Sequence, residues 1–144
     1  QISAFTVAHT ITLALGAMGW VQVSPAIVEP LIAASIVYVA VENIFLRRLT
    51  AWRPLVVFGF GLLHGLGFAS VLGEFGLPHE QFVAVLIGFN VGVELGQLTV
   101  IAIAFATVSF WFQSHPKYRG RVAIPASITI AAIGAYWFVE RVFL

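Results

Sequence analysis

Five stretches of the chain run apolar for long enough to cross a bilayer. A helix rising 1.5 Å per residue needs roughly 20 residues to span the ~30 Å hydrocarbon core, and the pattern puts such segments at 1–19, 26–46, 54–73, 81–112 and 121–143. The breaks between them carry helix-ending chemistry: Ser24-Pro25, Trp52-Arg53-Pro54, Gly76-Leu77-Pro78, and His115-Pro116 through Gly120. Short connections predict antiparallel neighbours. A membrane β-barrel would instead need segments of about ten residues that alternate polar and apolar, and these runs do not alternate. The reading is an all-α polytopic membrane helix bundle, one transmembrane domain over 1–144. Gln1 opens inside an apolar run rather than behind Met and a basic segment, so one or more upstream helices are expected.

Composition removes the soluble alternatives. Of 144 residues 60% are hydrophobic and 9% charged, with a mean hydropathy of +1.01, against roughly a quarter charged in a soluble domain. The outer surface therefore faces lipid or a partner subunit. A net charge of +1, with no basic cluster interleaved with aromatics, predicts no nucleic-acid partner. The absence of cysteine rules out disulfides, thiolate metal sites and cysteine nucleophiles. Basic residues set the orientation: Arg47, Arg48, Arg53, Lys117, Arg119 and Arg121 fall in the second and fourth connections, and only Arg141 dissents. By the positive-inside rule, loops 47–53 and 113–121 are cytoplasmic, in what is read as a bacterial inner membrane. The arginines are read as orienting and headgroup-anchoring groups, with Trp20, Trp52, Trp111 and Trp137 near the interfaces.

Glycines at 61 and 65 and at 88, 92 and 96 form small-residue stripes that let backbones approach. The third and fourth spans are accordingly expected to make the packed centre.

Ionisable groups inside a membrane are costly and usually face a bundle interior or a water-filled path. His9 lies halfway along the first span. By helical rise, His64 is about 16 Å into the third and Glu94 about 20 Å from the outer end of the fourth, so the three share one level. Asn90, Glu94 and Gln97 follow at i, i+4 and i+7 on one face, about 200° from the glycines. Glu42 and Asn43 sit near the cytoplasmic end of the second span, and His79 and Glu80 at the outer mouth. Glu74, Glu80 and Glu140, at helix ends, read as interfacial.

Imidazole with carboxylate and amide oxygen suits a divalent transition metal, nickel foremost, with cobalt, zinc or manganese as alternatives; Met18 stands alone, so soft-sulfur selection of Cu(I) is out. A lone intramembrane histidine serves equally well as a helix-to-helix hydrogen-bond partner. Enzymatic chemistry is poorly served. There is no Asp for a Ser/His/Asp triad, no phosphate-binding loop, and Ser70 lies on a different face from His64. The alternative of another class is a structural or haem-binding electron-transfer subunit of a larger complex, with His9 and His64 as axial ligands.

Four stretches carry a resemblance: Phe5-Thr-Val-Ala-His-Thr-Ile-Thr-Leu13, Ser35-Ile-Val-Tyr-Val-Ala-Val-Glu-Asn43, Phe58-Gly-Phe-Gly-Leu-Leu-His-Gly-Leu-Gly-Phe-Ala-Ser70 and Gly88-Phe-Asn-Val-Gly-Val-Glu-Leu-Gly-Gln97. Together they resemble the HupE/UreJ family, whose members are associated with hydrogenase and urease maturation and are regarded as nickel, sometimes cobalt, permeases. The resemblance implies that His9, Glu42, Asn43, His64, Asn90, Glu94 and Gln97 are its polar motif residues. It also implies an earlier helix with a Gly-x-Asp-His motif, which this sequence does not contain. The expectation is a permease rather than an enzyme, with the metal ion as cargo and lipid, other membrane subunits or a second copy as surroundings.

Overall fold

Proline begins two of the helices, Pro25 and Pro54, in the first turn where its missing N–H removes no intrahelical bond. The computed structural model describes residues 2–46, 50–74, 79–112 and 118–143, and the side chains of all but 72–74, 79, 80, 82 and 109–112 among them. Its helices are α1 (Ile2–Ala17), α2 (Pro25–Phe45), α3 (Arg53–Glu74), α4 (His79–Phe112) and α5 (Ile124–Phe143). A turn of wider π-helix at Arg119–Ala123 leads directly into α5. No strand occurs among the described residues. Arg47, Arg48, His115 and Lys117, and the side chains of Glu74, His79, Glu80 and Trp111, lie outside what is described.

Four helical segments are long and apolar enough to cross a membrane: Pro25–Phe45, Arg53–Val71, Val83–Val108 and Arg119–Phe143. The first predicted span is shorter than expected. Its 16 residues reach only about 24 Å, because the chain leaves the helix through Gly19, at φ 75°, whose N–H bonds back to Gly16. That left-handed conformation is one glycine adopts at little cost.

Side by side the helices run in the order α4, α1, α3, α2, α5. The α1–α3 seam is the tightest. A Cβ on Gly61 would come within 2.6 Å of the Phe5 carbonyl oxygen, and one on Gly65 would collide with Thr12 Oγ1 and the His9 carbonyl. Because Phe5 faces Gly61, His9 faces Gly65 and Gly16 faces Ala69, α1 and α3 run parallel. Thr12 Oγ1 adds a 2.8 Å hydrogen bond to the Leu62 carbonyl. Gly134 makes the equivalent approach of α5 to α2, against Val37 and Ile36. Arg141 pairs with Glu29 at 2.7 Å, while Arg119, at the other end, reaches the carbonyls of Asn43 and Ile44 at 3.3 and 3.0 Å. These two contacts fix α2 and α5 as antiparallel, and the first gives the dissenting Arg141 a partner.

Two packing expectations are corrected. The packed centre is α1 with α3, not α3 with α4, since α4 lies mainly against α1. The glycines at 88, 92 and 96 meet no side chain or backbone of another helix within 4 Å of a built Cβ. Gly88 and Gly92 face outward, Gly96 borders an open groove, and the polar Asn90 face is the one that packs.

Candidate functional site

His9, on α1, is 1% exposed inside an aromatic box. Phe5, one turn earlier on the same face, stacks on its ring at 6.0 Å, and Phe89 of α4 stacks at 6.1 Å. Phe68 of α3 meets it edge-on at 5.5 Å. Its Nδ1 lies 3.4 Å from Asn90 Oδ1. Asn90 spends its amide N–H on the Leu86 carbonyl at 2.8 Å, so Oδ1 is the atom turned to α1. That oxygen also accepts from Thr10 Oγ1 at 2.7 Å, the same distance at which Thr10 reaches the Thr6 carbonyl. One hydroxyl proton is thus shared between two acceptors.

The tautomer follows from the acceptors. An amide oxygen can only accept, so His9 Nδ1 carries the proton and Nε2 the lone pair. His9 Nε2 is buried and has no hydrogen-bond partner. His64 repeats the arrangement on α3: its Nδ1 lies 2.8 Å from the Phe60 carbonyl, which again fixes the proton there and leaves Nε2 free. Histidine ligands of metals are commonly held in this way, with one ring N–H on an oxygen acceptor that orients the other nitrogen.

Phe5 connects the two sites. Besides stacking on His9, its ring meets the His64 ring edge-on at 5.2 Å. His64 lines a cavity of about 280 Å³ between α2, α3 and α5, whose wall includes Phe5, Phe60, Ser35, Asn43 and Ser127. On the other side of Phe5 an apolar groove of about 530 Å³ runs along α4 past Val93, Gly96 and Gln97. Gln97 Oε1 is buried there without a hydrogen-bond partner.

The sequence-derived residues therefore fall into separate groups. His9 and Asn90 meet directly; His64 joins them through Phe5; Gln97 stands in the neighbouring groove. Glu94 is exposed and does not join the histidines, and no cluster of three or more His, Cys, Asp or Glu occurs among the described residues. The reason is rotational. The arc of α4 that meets α1 is centred on Phe89, Asn90, Val93 and Gln97, which swings Glu94 roughly 90° to the flank.

Glu42 and Asn43 belong to a third group at the end of α2. Glu42 Oε1 accepts from Thr50 Oγ1 at 3.1 Å, and Glu42 Oε2 lies 3.6 Å from Arg53 Nε. Asn43 Oδ1 accepts from Arg53 at 3.0 Å.

Sequence reasoning missed Phe5, Thr10, Phe68, Phe89 and the roles of Arg53 and Arg119. The i, i+4 spacing of Phe5 and His9 was a usable signal for the first. Nothing in the local sequence distinguishes Arg53, which is buried in a polar cluster, from an arginine that only anchors to headgroups.

No curated protein and no solved structure gives a significant match to this chain. The sequence profile of the family described as HupE / UreJ protein matches residues 1–141, a stretch that takes in α1 to α4, all but the last two residues of α5 and all the groups above. The four motif stretches and the geometry built on them therefore sit within one recognised family, and this chain is a member of the HupE/UreJ family of membrane proteins.

Proposed function

We propose that the protein carries a divalent transition metal ion, nickel foremost, across a bacterial inner membrane, with His9 and His64 as successive binding stations. The family is associated with nickel and cobalt accessory or transport roles rather than with enzymatic ones, which supports the metal class. The observation that carries the reading is the matched state of the two imidazoles. In each, Nδ1–H is tied to an oxygen acceptor, and at His9 the free Nε2 is buried without a partner. A neutral imidazole nitrogen is a donor suited to Ni²⁺, Co²⁺ or Zn²⁺.

In this reading the ion binds His9 Nε2 while Asn90 holds the ring by its other nitrogen, passes Phe5 and is taken up by His64 Nε2. It then leaves through the cavity toward Asn43 and Glu42, with loops 47–53 and 113–121 in the cytoplasm. Gln97 offers a further neutral oxygen beside the path. Glu94, on the exposed flank, takes part only where another chain or segment covers α4.

The test is elemental analysis of the detergent-purified chain after equilibration with equal Ni²⁺, Co²⁺, Zn²⁺ and Mn²⁺. Wild type is expected to retain close to one ion per chain, and His9→Ala and His64→Ala each to lose it. Equal metal content in all three proteins would remove the two-station reading.

A further inference from the structure

Hydroxyl groups along these helices are mostly spent on their own backbone. Thr6, Thr10, Thr12, Ser35, Ser70 and Thr129 each bond to a carbonyl three or four residues back, a common way for such a side chain to be housed within a helix. Ser127, one turn into α5 and 7% exposed, makes no such bond. Its Oγ meets no other hydrogen-bond partner among the described residues, although Thr129, two positions on, reaches Pro125. A buried hydroxyl left without a partner is costly, so the space that Ser127 faces matters.

That space is the His64 cavity. Two polar atoms on its wall are uncommitted: Ser127 Oγ, from α5, and His64 Nε2, from α3, whose Nδ1–H is tied to the Phe60 carbonyl. Ser35, 4% exposed, gives its proton to the Ile32 carbonyl at 2.7 Å but keeps oxygen lone pairs that can accept. No lining residue carries a carboxylate, and much of the remaining wall, including Ile36, Val39 and Ile130, is apolar. The cavity, about 280 Å³, is much larger than a bare ion. At roughly 30 Å³ of liquid volume per water, it has room for an ion together with several waters.

A divalent transition metal takes about four to six donor atoms. His64 supplies one, and no group of three or more His, Cys, Asp or Glu stands among the described residues to supply the rest. Water must complete the shell at this station, and a metal polarises its bound water into a strong hydrogen-bond donor. What the wall then has to offer is oxygen that accepts. We propose that His64 and Ser127 form a site for a partly hydrated divalent cation, in which His64 Nε2 binds the ion and Ser127 Oγ accepts a hydrogen bond from the ion's water. Ser35 Oγ is a further acceptor for the same water shell. The site rests on the metal reading, which names His64 and neither serine.

The test compares the full detergent-purified chain as wild type, Ser127→Thr, Ser127→Val, Ser127→Ala and Ser35→Ala, each checked for folding by thermal unfolding. Thr and Val match in shape and differ in the hydroxyl. Ni²⁺ affinity is read by titration calorimetry, and water on bound Mn²⁺ by pulsed electron–nuclear double resonance in D₂O. Wild type and Ser127→Thr are expected to bind Ni²⁺ alike, Ser127→Val and Ser127→Ala about tenfold more weakly, and Ser35→Ala about threefold more weakly. The resonance should show deuterons of coordinated water beside an imidazole nitrogen, and Ser127→Val should alter the water signal while keeping the nitrogen signal, which a merely structural serine would not do. Where the larger Thr itself weakens binding, Ser127→Ala decides, since it adds no bulk. Unchanged affinity in Ser127→Ala, or a bound ion without coordinated water, would overturn the site and leave the metal reading standing. A wild-type chain that binds neither Ni²⁺ nor Mn²⁺ removes both.

Discussion

Two helices of this protein carry glycines at four-residue spacing, and they are used in opposite ways. On α3, Gly61 and Gly65 bring the backbone of α1 so close that a Cβ would strike carbonyl oxygens. On α4, Gly88, Gly92 and Gly96 look into open space. The difference lies in what the opposite helix offers. α1 turns Ala8 and Thr12, small side chains spaced four apart, toward α3, and Thr12 closes the seam with a bond to Leu62. α4 turns its polar and aromatic face to α1 and leaves its glycines outside. A small-residue stripe permits close approach; a complementary stripe on the neighbour decides whether it happens.

The contrast can be broken most directly at the two stripes. Gly65→Leu should destabilise by on the order of 3 kcal/mol or prevent folding, because the added side chain meets backbone that cannot move aside. Gly92→Leu should change the stability of the isolated chain by no more than about 0.5 kcal/mol. Thermal unfolding in detergent compares the two; equal losses would mean that the α4 stripe is packed in solution and that the two stripes do not differ in use.

Asn90→Leu tests whether α4 depends on its polar face instead. It removes the acceptor shared by His9 and Thr10 and leaves a buried imidazole N–H unpaired, an expected loss of roughly 1–3 kcal/mol. Protection of α4 amides from hydrogen exchange should fall more than protection of α3; a uniform change would argue against α4 as a separately held helix.

Smaller effects are expected where α2 meets α5. Arg119→Ala should cost about 1 kcal/mol through the lost carbonyl caps. Arg141→Ala should cost about 0.2–1 kcal/mol, since both members of its pair with Glu29 are substantially exposed. A thermal shift for Arg141→Ala larger than that for Arg119→Ala would reverse this order.

The helices were legible from the sequence because long apolar runs and proline, glycine and arginine breaks are local features. Pro25, Pro54 and Gly19 mark boundaries within a few residues of where the helices begin and end. The relative faces of α4 were legible too, in that Asn90 opposes the glycines. Which of those faces packs was not, because it depends on Thr10 and Phe89 finding partners some 80 positions away in the chain. Glu94 shows the limit of helical arithmetic: only 40° of rotation separates it from Asn90, yet the contact arc is centred on the far side of Asn90 and leaves it out. Arg53 and Arg119 are charged residues at span ends, and charge alone cannot tell a lipid anchor from a group that binds another helix. Even so, every residue of the metal reading except Glu94 lies in or beside a cavity or a polar cluster.

The π-turn at Arg119–Ala123 has a consequence for register. A wide turn fits one residue more than an α-helical turn would, so it offsets Tyr118 and Arg119 from the residues of α5 by about 100° around the axis. With that offset, Arg119 can point at the end of α2 while Gly134, four turns later, still faces Val37. Deleting any one residue of the turn would leave a regular helix able to keep one of these contacts at a time. The extra residue therefore works as a phase correction, and it ties the orientation of the whole of α5 to a single short stretch of chain.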